Sequence, residues 1–226
     1  MITAFLPCRA GSERVPEKNT KLFSGIKGGL LAVKLNQLLQ TPLINRIVVS
    51  TNDQEVIDIA KNIDSNIIID RRPEHLATSA TSTDELINYV PDIIKEGHVL
   101  WTHVTSPFLT NDVYEKAILK YLEEIEIGTF DSLMTVNKIQ SFLWNDKGSV
   151  NYDREVEKWP RTQTISELYE INSGIFLNSV DNYNKYGDRI GQNPFMFKSE
   201  GYASFDIDWP HDFKLGEMIY KTLNGL

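Results

Sequence analysis

The chain has 226 residues, of which 41% are hydrophobic and 24% are charged, and its formal net charge is −8. This length allows one large globular domain, and the composition excludes a disordered or fibrous protein. The acidic balance excludes nonspecific binding to nucleic acid and to anionic membranes, since both need a basic surface.

Short apolar segments alternate with amphipathic ones along the first 130 residues. Apolar runs bounded by turn residues predict buried strands at 2–7, 44–51, 67–69 and 99–101. Apolar residues that recur every three or four positions predict helices at about 30–39, 53–63, 83–94 and 110–126. This alternation predicts an α/β fold of the three-layer α/β/α, Rossmann-like type, in which helices cover both faces of a mainly parallel sheet.

The pattern changes after Asn137. Residues 138–170 contain scattered aromatic side chains and no helical period, so we interpret them as an excursion of short strands and loops that leaves the main sheet. Beyond it, 175–177 and 203–205 predict strands that return to the sheet, and about 209–223 predicts the last helix. We therefore expect a single domain over residues 1–226, with the excursion 138–170 inserted in it.

The sequence gives three indications of its compartment. Its one cysteine, Cys8, excludes a disulfide within the chain. The apolar run at residues 2–6 is too short for the core of a signal peptide. The longest stretch without acidic, lysine or arginine residues, 99–111, is 13 residues long and rich in polar side chains, so no membrane span is expected. We expect a cytoplasmic protein.

The segment after the first predicted strand concentrates positive charge. Between residues 9 and 21, four basic residues stand against two acidic ones, and Gly11 and Ser12 lie among them. Open α/β sheets bind ligands at the carboxyl ends of their strands, where backbone N–H groups and basic side chains can hold phosphate oxygens. The alternative is a solvated loop with incidental charges. The chain has neither a P-loop nor a Rossmann dinucleotide fingerprint, so an anion here would be held in another way.

Near the other end of the sequence, Asp206 and Asp208 are separated by one residue. On a strand this spacing puts both carboxylates on one face, and carboxylates combined with phosphate oxygens suit Mg²⁺. The alternative is a pair of exposed acids at the end of a strand. Asp212 and Glu217 follow in the first turns of the last predicted helix, where we expect Glu217 to be exposed.

These segments together carry a resemblance to a known family. The loop Leu6-Pro-Cys-Arg-Ala-Gly-Ser-Glu-Arg-Val-Pro-Glu-Lys-Asn19 resembles the signature loop of the acylneuraminate cytidylyltransferases, the CMP-sialic acid synthetase family. Lys18-Asn19 favours that branch over the related Kdo cytidylyltransferases, which usually have Lys-Pro there. Further blocks agree in order over nearly the whole chain: Arg72-Pro73 before Leu76-Ala77, Thr105-Ser-Pro107, Asn172-Ser-Gly174, and Asp206-Ile-Asp208 with Asp212 and Glu217.

The resemblance implies a fold of the nucleotide-diphospho-sugar transferase type. It also implies transfer of CMP from CTP to the anomeric hydroxyl of a nonulosonic acid, a nine-carbon keto acid sugar, with release of pyrophosphate, for cell-surface polysaccharide biosynthesis. Catalytic roles are implied for Arg9, Lys18 and Asp208, and Mg²⁺ binding for Asp206 and Asp208. Nucleotide contacts are implied for Ala10, Gly11, Ser12, Asn19, Arg72, Ser82 and Thr83.

The sugar end departs from the family pattern. His103 stands where the sialic acid enzymes usually have glutamine, and Asn172-Ser-Gly174 replaces their usual Asn-Gly-Ala. The segment that follows Phe195 and Phe197 is short for the aromatic wall these enzymes place against the sugar. We expect His103, Asn172, Phe195 and Phe197 to contact the sugar. His103 could equally be a polar residue satisfied by a neighbouring loop. The departures leave the identity of the sugar open.

The excursion 138–170 corresponds in position to the family's dimerisation segment. The resemblance therefore implies a homodimer in which Arg161 and Lys158 reach the sugar carboxylate in the neighbouring subunit. A surface charge is the simpler interpretation of Lys158.

Two other functions fit part of the pattern. A GT-A-like glycosyltransferase also uses an Asp-x-Asp pair to hold a metal and a nucleotide-sugar, but here the pair comes late in the chain, after a triphosphate-type basic loop. A nucleotide-binding regulator with the same fold would have no physical need for a metal pair. Consumption of CTP with release of pyrophosphate separates the three functions.

Overall fold

The structure is a computed structural model that describes residues 1–225. The strands are β1 (Ile2–Pro7), β2 (Arg46–Thr51), β3 (Ile68–Arg71), β4 (His98–Thr102), β5 (Ser132–Ile139), β6 (Trp144–Asn145), β7 (Gly148–Ser149), β8 (Leu168–Ser179) and β9 (Pro194–Lys198). The helices are α1 (Gly29–Leu39), α2 (Gln54–Ile63), α3 (Thr83–Ile93), α4 (Asn111–Ile127), α5 (Val180–Tyr186) and α6 (Pro210–Asn224). Within these residues no helix has both the length and the apolar content that a membrane crossing requires.

Seven strands form one twisted sheet in the order β3-β2-β1-β4-β8-β5-β9. The pairs β1–β2, β1–β4, β2–β3 and β5–β9 are parallel, whereas β8 runs antiparallel to both of its neighbours, β4 and β5. The predicted, mainly parallel sheet is therefore confirmed. The separate β6–β7 hairpin lies in the excursion and does not join the sheet.

Helices cover both faces of this sheet. On one face, α1, α2, α4 and α6 contribute buried residues to the larger apolar core, among them Leu31, Tyr114 and Phe213. On the other face, α3 and α5 bury Ile87 and Tyr183 against the sheet in a smaller core. Since each face buries an apolar helical stripe, the three-layer α/β/α architecture is also confirmed.

The strand predicted at 203–205 is wrong. Gly201–Ser204 forms a turn of 3-10 helix, and the Phe205 N–H donates to the Tyr202 carbonyl at 3.0 Å. Gly201 has a φ of +57°, a left-handed conformation that glycine adopts without strain and that starts the turn. The sheet edge near this segment is taken by β9 instead, which pairs with β5 and was not predicted as a strand.

The topology brings the loops that carry polar residues to one edge of the sheet. Because β1, β2, β3 and β4 are parallel, the segments that follow them emerge at the same edge. These segments include residues 8–28, here called the basic loop, and the Arg72 region after β3. Residues 205–209, here called the aspartate segment, reach the same edge just before α6.

Candidate active site

Two adjoining cavities open at this edge of the sheet, with volumes of about 480 and 330 Å³. Both are lined by Arg9 and Lys18 from the basic loop, by His103 after β4, and by Asp208 from the aspartate segment. Residues nearly 200 positions apart in the sequence thus share one cleft.

The basic loop and the aspartate segment are joined by direct polar contacts. The Lys18 ammonium donates to the Ile207 carbonyl at 2.9 Å and lies 3.7 Å from Asp208 Oδ1. Arg14 Nη1 lies 3.2 Å from the same carboxylate oxygen, and its guanidinium carbon is 4.7 Å from the centre of the Trp209 ring. Two cations of the basic loop therefore flank one of the two aspartates.

Internal hydrogen bonds shape the basic loop. Arg9 Nη1 donates to the carbonyls of Ala10 and Gly11, at 3.2 and 3.0 Å, and Asn19 Nδ2 donates to the Arg9 carbonyl at 3.2 Å. The Ala10 N–H donates to Asn52 Oδ1 at 3.0 Å. The Ala10 N–H is therefore already used by a side chain. Arg9 donates within the loop through Nη1 alone, so its other guanidinium N–H groups can bind a ligand.

Gly11, Ser12 and Asn19 line a smaller cavity beside the main cleft, and Ser12 and Asn19 also line the 330 Å³ cavity. Gly11 has a φ of +73°, so the turn that begins the basic loop needs the left-handed conformation that glycine permits.

The larger cavity is also lined by Arg72, Ser82 and Thr83. Arg72 is buried and donates through Nε to Ser50 Oγ at 3.0 Å and through Nη2 to the Ser50 carbonyl at 2.7 Å, and burial lowers the pKa of its guanidinium. The Ser82 hydroxyl serves the N-terminal cap of α3, where it accepts the Glu85 N–H at 3.1 Å. The two hydrogen bonds to Ser50 therefore fix the orientation of Arg72 in the cavity wall.

The aspartate segment is extended but belongs to no sheet, so Asp206 and Asp208 do not lie on a strand, which was the condition under which their spacing puts both on one face. Ile207 is buried in the larger core, and its N–H donates to the Thr105 carbonyl at 2.9 Å. With Ile207 facing inward, both flanking carboxylates line the larger cavity. Burial and the charge of Asp208 together raise the pKa of Asp206.

Glu217 is not at an exposed position, contrary to expectation. It is half-buried in α6, its carboxylate accepts the Ser24 N–H at 2.9 Å, and its backbone carbonyl accepts the Ser24 hydroxyl at 3.0 Å. Asp212 accepts the N–H groups of Asp208 and Trp209 at 3.1 and 2.7 Å. Both acids of α6 therefore hold the backbone around the cleft rather than facing into it.

His103 is held as a neutral imidazole in the wall between the two cavities. Its Nε2 accepts a hydrogen bond from Trp101 Nε1 at 2.9 Å, which assigns its proton to Nδ1. Burial, and then the charges of Arg189, Lys34 and Lys18, lower the pKa of His103 to about 3.

Asn172 lies beside the cleft with its side chain fully engaged. Its Nδ2 donates to Asn137 Oδ1 at 2.7 Å and to Ser199 Oγ at 2.8 Å, and its Oδ1 accepts the Thr135 hydroxyl at 2.6 Å. With Asp206 and Asp208 it lines a further cavity of about 310 Å³. The structure thus places Asn172 near the aspartates, where it positions β8 against β5.

Two residues predicted to contact the sugar, Phe195 and Phe197, are not brought to the cleft. Phe195 and Phe197 lie in β9 and pack against the larger core, with the Phe195 ring 5.2 Å from that of Phe130. β9 is an edge strand of the sheet, and its two phenylalanine rings pack on the core. They therefore do not form an aromatic wall against a sugar in the cleft. Arg161 lies exposed in the excursion, just before the 3-10 turn Thr162–Thr164.

Two further basic residues were not predicted from the sequence: Lys34, which is buried close enough to Asp206 and His103 to interact electrostatically with both, and Arg189, which lies in the cavity wall. Lys34 is fully buried in α1, where its ammonium donates to the Ser106 carbonyl at 2.8 Å and to the Tyr114 hydroxyl at 2.7 Å. The sequence does indicate that Lys34 is buried, because this charged residue stands at a helical spacing within the apolar stripe that contains Leu31 and Leu38. Arg189 lines the larger cavity from the loop after α5, and that irregular loop has no period that would have predicted it.

A mainly parallel sheet whose carboxyl edge sets a basic loop against a pair of carboxylates is an arrangement typical of enzymes that transfer nucleotides. The family model described as Cytidylyltransferase matches residues 3–224, and the chain belongs to this family.

Several curated proteins are similar to the chain over most of its length. It is 25% identical to the N-acylneuraminate cytidylyltransferase of Escherichia coli O18:K1:H7, over 99% of this chain and 53% of that protein, so it spans about half of that relative. It is 21% identical to a pseudaminic acid cytidylyltransferase of Campylobacter jejuni, over 96% and 95% of the two chains. It is 28% identical to the CMP-N,N'-diacetyllegionaminic acid synthase of Legionella pneumophila, over 97% and 96%.

Solved structures share the fold. A CMP:2-keto-3-deoxy-manno-octonic acid synthetase in complex with CTP superposes with a TM-score of 0.69 at 15% identity, over 98% of this chain and 99% of that one. A 4-diphosphocytidyl-2C-methyl-D-erythritol synthase of Anaerococcus prevotii gives 0.65 at 16% identity, over 97% and 96%.

Proposed function

We propose that the chain transfers CMP from CTP to the anomeric hydroxyl of a nonulosonic acid, releases pyrophosphate and depends on Mg²⁺. The observation that carries this proposal is the meeting of Lys18 and Arg14 with Asp208, beside Asp206, in one cleft. The cations would balance the negative charge of a nucleoside triphosphate, and the carboxylates would bind a divalent metal. The names of three relatives, which mention neuraminate, pseudaminate and legionaminate, support a nonulosonic acid as the acceptor.

Asp206 and Asp208 fit a magnesium ion. The two carboxylates line the same cavity, and burial, together with the charge of Asp208, raises the pKa of Asp206, so a bound cation would favour the ionised form of Asp206. Among residues 1–225 no three or more His, Cys, Asp or Glu side chains are grouped for a metal. Mg²⁺ prefers few carboxylates together with phosphate oxygens and water, so two aspartates suffice. When bound, the ion would neutralise phosphate charge and acidify the attacking hydroxyl.

The protein's own groups supply position and charge. Arg9, Arg14 and Lys18 would neutralise the phosphates of CTP, because displacement at phosphorus depends mainly on alignment and charge stabilisation. A bond forms between the anomeric oxygen and the α-phosphorus, and the bond from that phosphorus to the bridging oxygen breaks, so pyrophosphate leaves. Asp208 would take the proton of the anomeric hydroxyl.

Pyrophosphate release from CTP tests the proposal directly. The purified protein is incubated with CTP, Mg²⁺ and, in turn, N-acetylneuraminate, a legionaminate, a pseudaminate and Kdo. We expect pyrophosphate with at least one nine-carbon acid, none after chelation of the metal, and a loss of at least about 10²-fold in Asp208→Asn. The matched control is Asp92→Asn, an exposed acid of α3.

Two outcomes would contradict the proposal. A reaction with Kdo alone would assign the chain to the eight-carbon acceptors. Unchanged CTP with every acid would contradict it too, and consumption of a sugar nucleotide added in a second incubation would then favour a glycosyltransferase that uses the same two aspartates.

A further inference from the structure

Arg189 occupies an unusual place in the wall of the larger cavity. It comes from the loop between α5 and β9, and its guanidinium lies on two aromatic rings of the sheet. The guanidinium carbon is 3.8 Å from the centre of the Phe176 ring and 5.5 Å from that of Trp101. Stacking of this kind holds a planar cation in place without using its N–H groups.

The charge of Arg189 has no partner within residues 1–225. No carboxylate there lies within ion-pair distance of its guanidinium, and none of its N–H groups makes a hydrogen bond to those residues; Asp188 and Asp84 act on it only through space. Partial burial lowers its pKa. Desolvated cations in proteins are normally paired, so a guanidinium with its donors free in a cavity indicates an anionic ligand.

The sheet order separates Arg189 from the nucleotide-binding residues. Arg9 follows β1 and Arg72 follows β3, on one side of the cleft. Arg189 lies over Trp101 of β4 and Phe176 of β8, on the other side. With the phosphates held by the basic loop, the part of the cavity over β4 and β8 is left for the acceptor.

Neutral His103 lies between these two sides. Because its imidazole is uncharged, it neither repels Arg189 nor attracts an anion away from it. Its Nδ1–H is available to donate to a sugar oxygen beside the bound anion, since Nε2 already accepts from Trp101.

We propose that Arg189 binds the carboxylate of the acceptor sugar from within the same subunit. This inference rests on the proposed function, because a nonulosonic acid is the substrate that brings the carboxylate. The planar guanidinium would bind it through two parallel N–H···O bonds while its face stays on Phe176. The family resemblance implies this role for Arg161 in the neighbouring subunit, and Arg161 is exposed in the excursion, so Arg161 is the residue against which the role of Arg189 is tested.

The test compares Arg189→Gln with the parent enzyme on two forms of the acceptor, the free acid and its methyl ester. For the parent, esterification should raise the acceptor KM by about 10²-fold, since it removes the negative charge of the carboxylate that the guanidinium binds. Arg189→Gln should show a similarly raised KM for the free acid and less than threefold discrimination against the ester. Its Kd for CTP, measured by calorimetry, should stay within about twofold of the parent value.

The controls separate this inference from the proposed function. Arg189→Lys keeps a positive charge on Phe176, so its discrimination between the free acid and the methyl ester should lie between those of the parent and Arg189→Gln. If Arg189→Gln does not fold, Arg189→Lys provides the comparison. Full ester discrimination in both Arg189 variants, or its loss in Arg161→Gln instead, would overturn the role of Arg189 alone. Absence of pyrophosphate release in the parent enzyme with every acid would overturn the proposed function.

Discussion

At the scale of single residues, Lys18 connects the two ends of the chain. Its ammonium holds the Ile207 carbonyl and faces Asp208, and its side chain is only 16% exposed. The group therefore organises the aspartate segment and presents positive charge to the cavity at the same time.

Replacement of Lys18 by alanine should lower kcat/KM for pyrophosphate release by at least about 10²- to 10³-fold, the usual effect of removing one charge-stabilising group from an active site. Steady-state kinetics at saturating Mg²⁺ measures this loss, and circular dichroism checks the fold. Lys27→Ala, an exposed lysine of the same loop, should keep parental activity. Equal activities for the two variants would refute the role of Lys18.

His103 should make the protein less stable in mild acid. In the unfolded chain a histidine titrates near pH 6.5, whereas the pKa of folded His103 is about 3. Between these values the unfolded state binds more protons, so the free energy of unfolding falls as the pH is lowered below about 6.5.

His103→Gln removes this titration and leaves an amide oxygen that can accept from Trp101. The parent should lose on the order of 1 kcal/mol more stability than this variant between pH 7 and pH 5. Urea unfolding at the two pH values measures the difference, and exposed His75→Gln should follow the parent. Parallel losses in the parent and His103→Gln would contradict the assignment.

Sequence patterns predicted some of these residues and missed others for physical reasons. The basic loop and the aspartates were found because their charge is concentrated and their spacing is regular. Arg189 was missed, because its role arises from stacking on Phe176 and Trp101, two rings distant in sequence. Arg161 stays a prediction, since its proposed partner would be a second subunit.

At the scale of elements, the backbone of the basic loop lies close against the start of α1. Gly29 has a φ of +58°, and a Cβ there would lie 2.2 Å from the Lys21 carbonyl oxygen. The Leu31 N–H also donates to the Asn19 carbonyl at 2.9 Å. The start of α1 thus fixes the loop that carries Lys18.

Gly29→Ala should therefore destabilise the protein by about 3 kcal/mol or more, since it adds a backbone clash to the strain of a left-handed alanine. The matched control is Gly128→Ala, where φ is +79° but nothing lies within 4 Å of the new Cβ. That variant should lose only about 1 kcal/mol. Chemical denaturation measures both, and equal losses would show that the contact with the basic loop is unimportant.

Most elements could be predicted from the sequence because their apolar period matches the face they bury, as in β1 and α2. The aspartate segment could not. Its alternation of acid, Ile207 and acid matches a strand, yet its hydrogen bonds go to Thr105 and Lys18 rather than to a neighbouring strand. Asp206 and Asp208 both line the larger cavity, but no strand holds them, so the alternating pattern does not identify the element.

At the scale of the whole molecule, the excursion 138–170 presents apolar side chains to solvent. Trp144, Val150, Val156 and Trp159 are all exposed, Val156 to 83%. Several exposed apolar residues within one segment are typical of an interface. We propose that two copies of the chain associate through the excursion.

Val156→Asp should shift the protein from dimer to monomer, because a charge would be buried at the interface. Sedimentation velocity over a range of concentrations measures the change. Ile127→Asp, at an exposed position of α4 outside the excursion, should leave the assembly intact. A parent protein that stays monomeric at all concentrations, or a dimer indifferent to Val156→Asp, would contradict the proposed interface.

The chemistry of the cleft can be followed by ³¹P nuclear magnetic resonance of one reaction mixture. With CTP, Mg²⁺ and a nonulosonic acid, the three phosphate resonances of CTP should be replaced in equal amounts by one phosphodiester signal and by pyrophosphate. The same sample with Asp208→Asn should keep its CTP. Release of inorganic phosphate without a phosphodiester, or CTP that persists with every acid, would contradict the account.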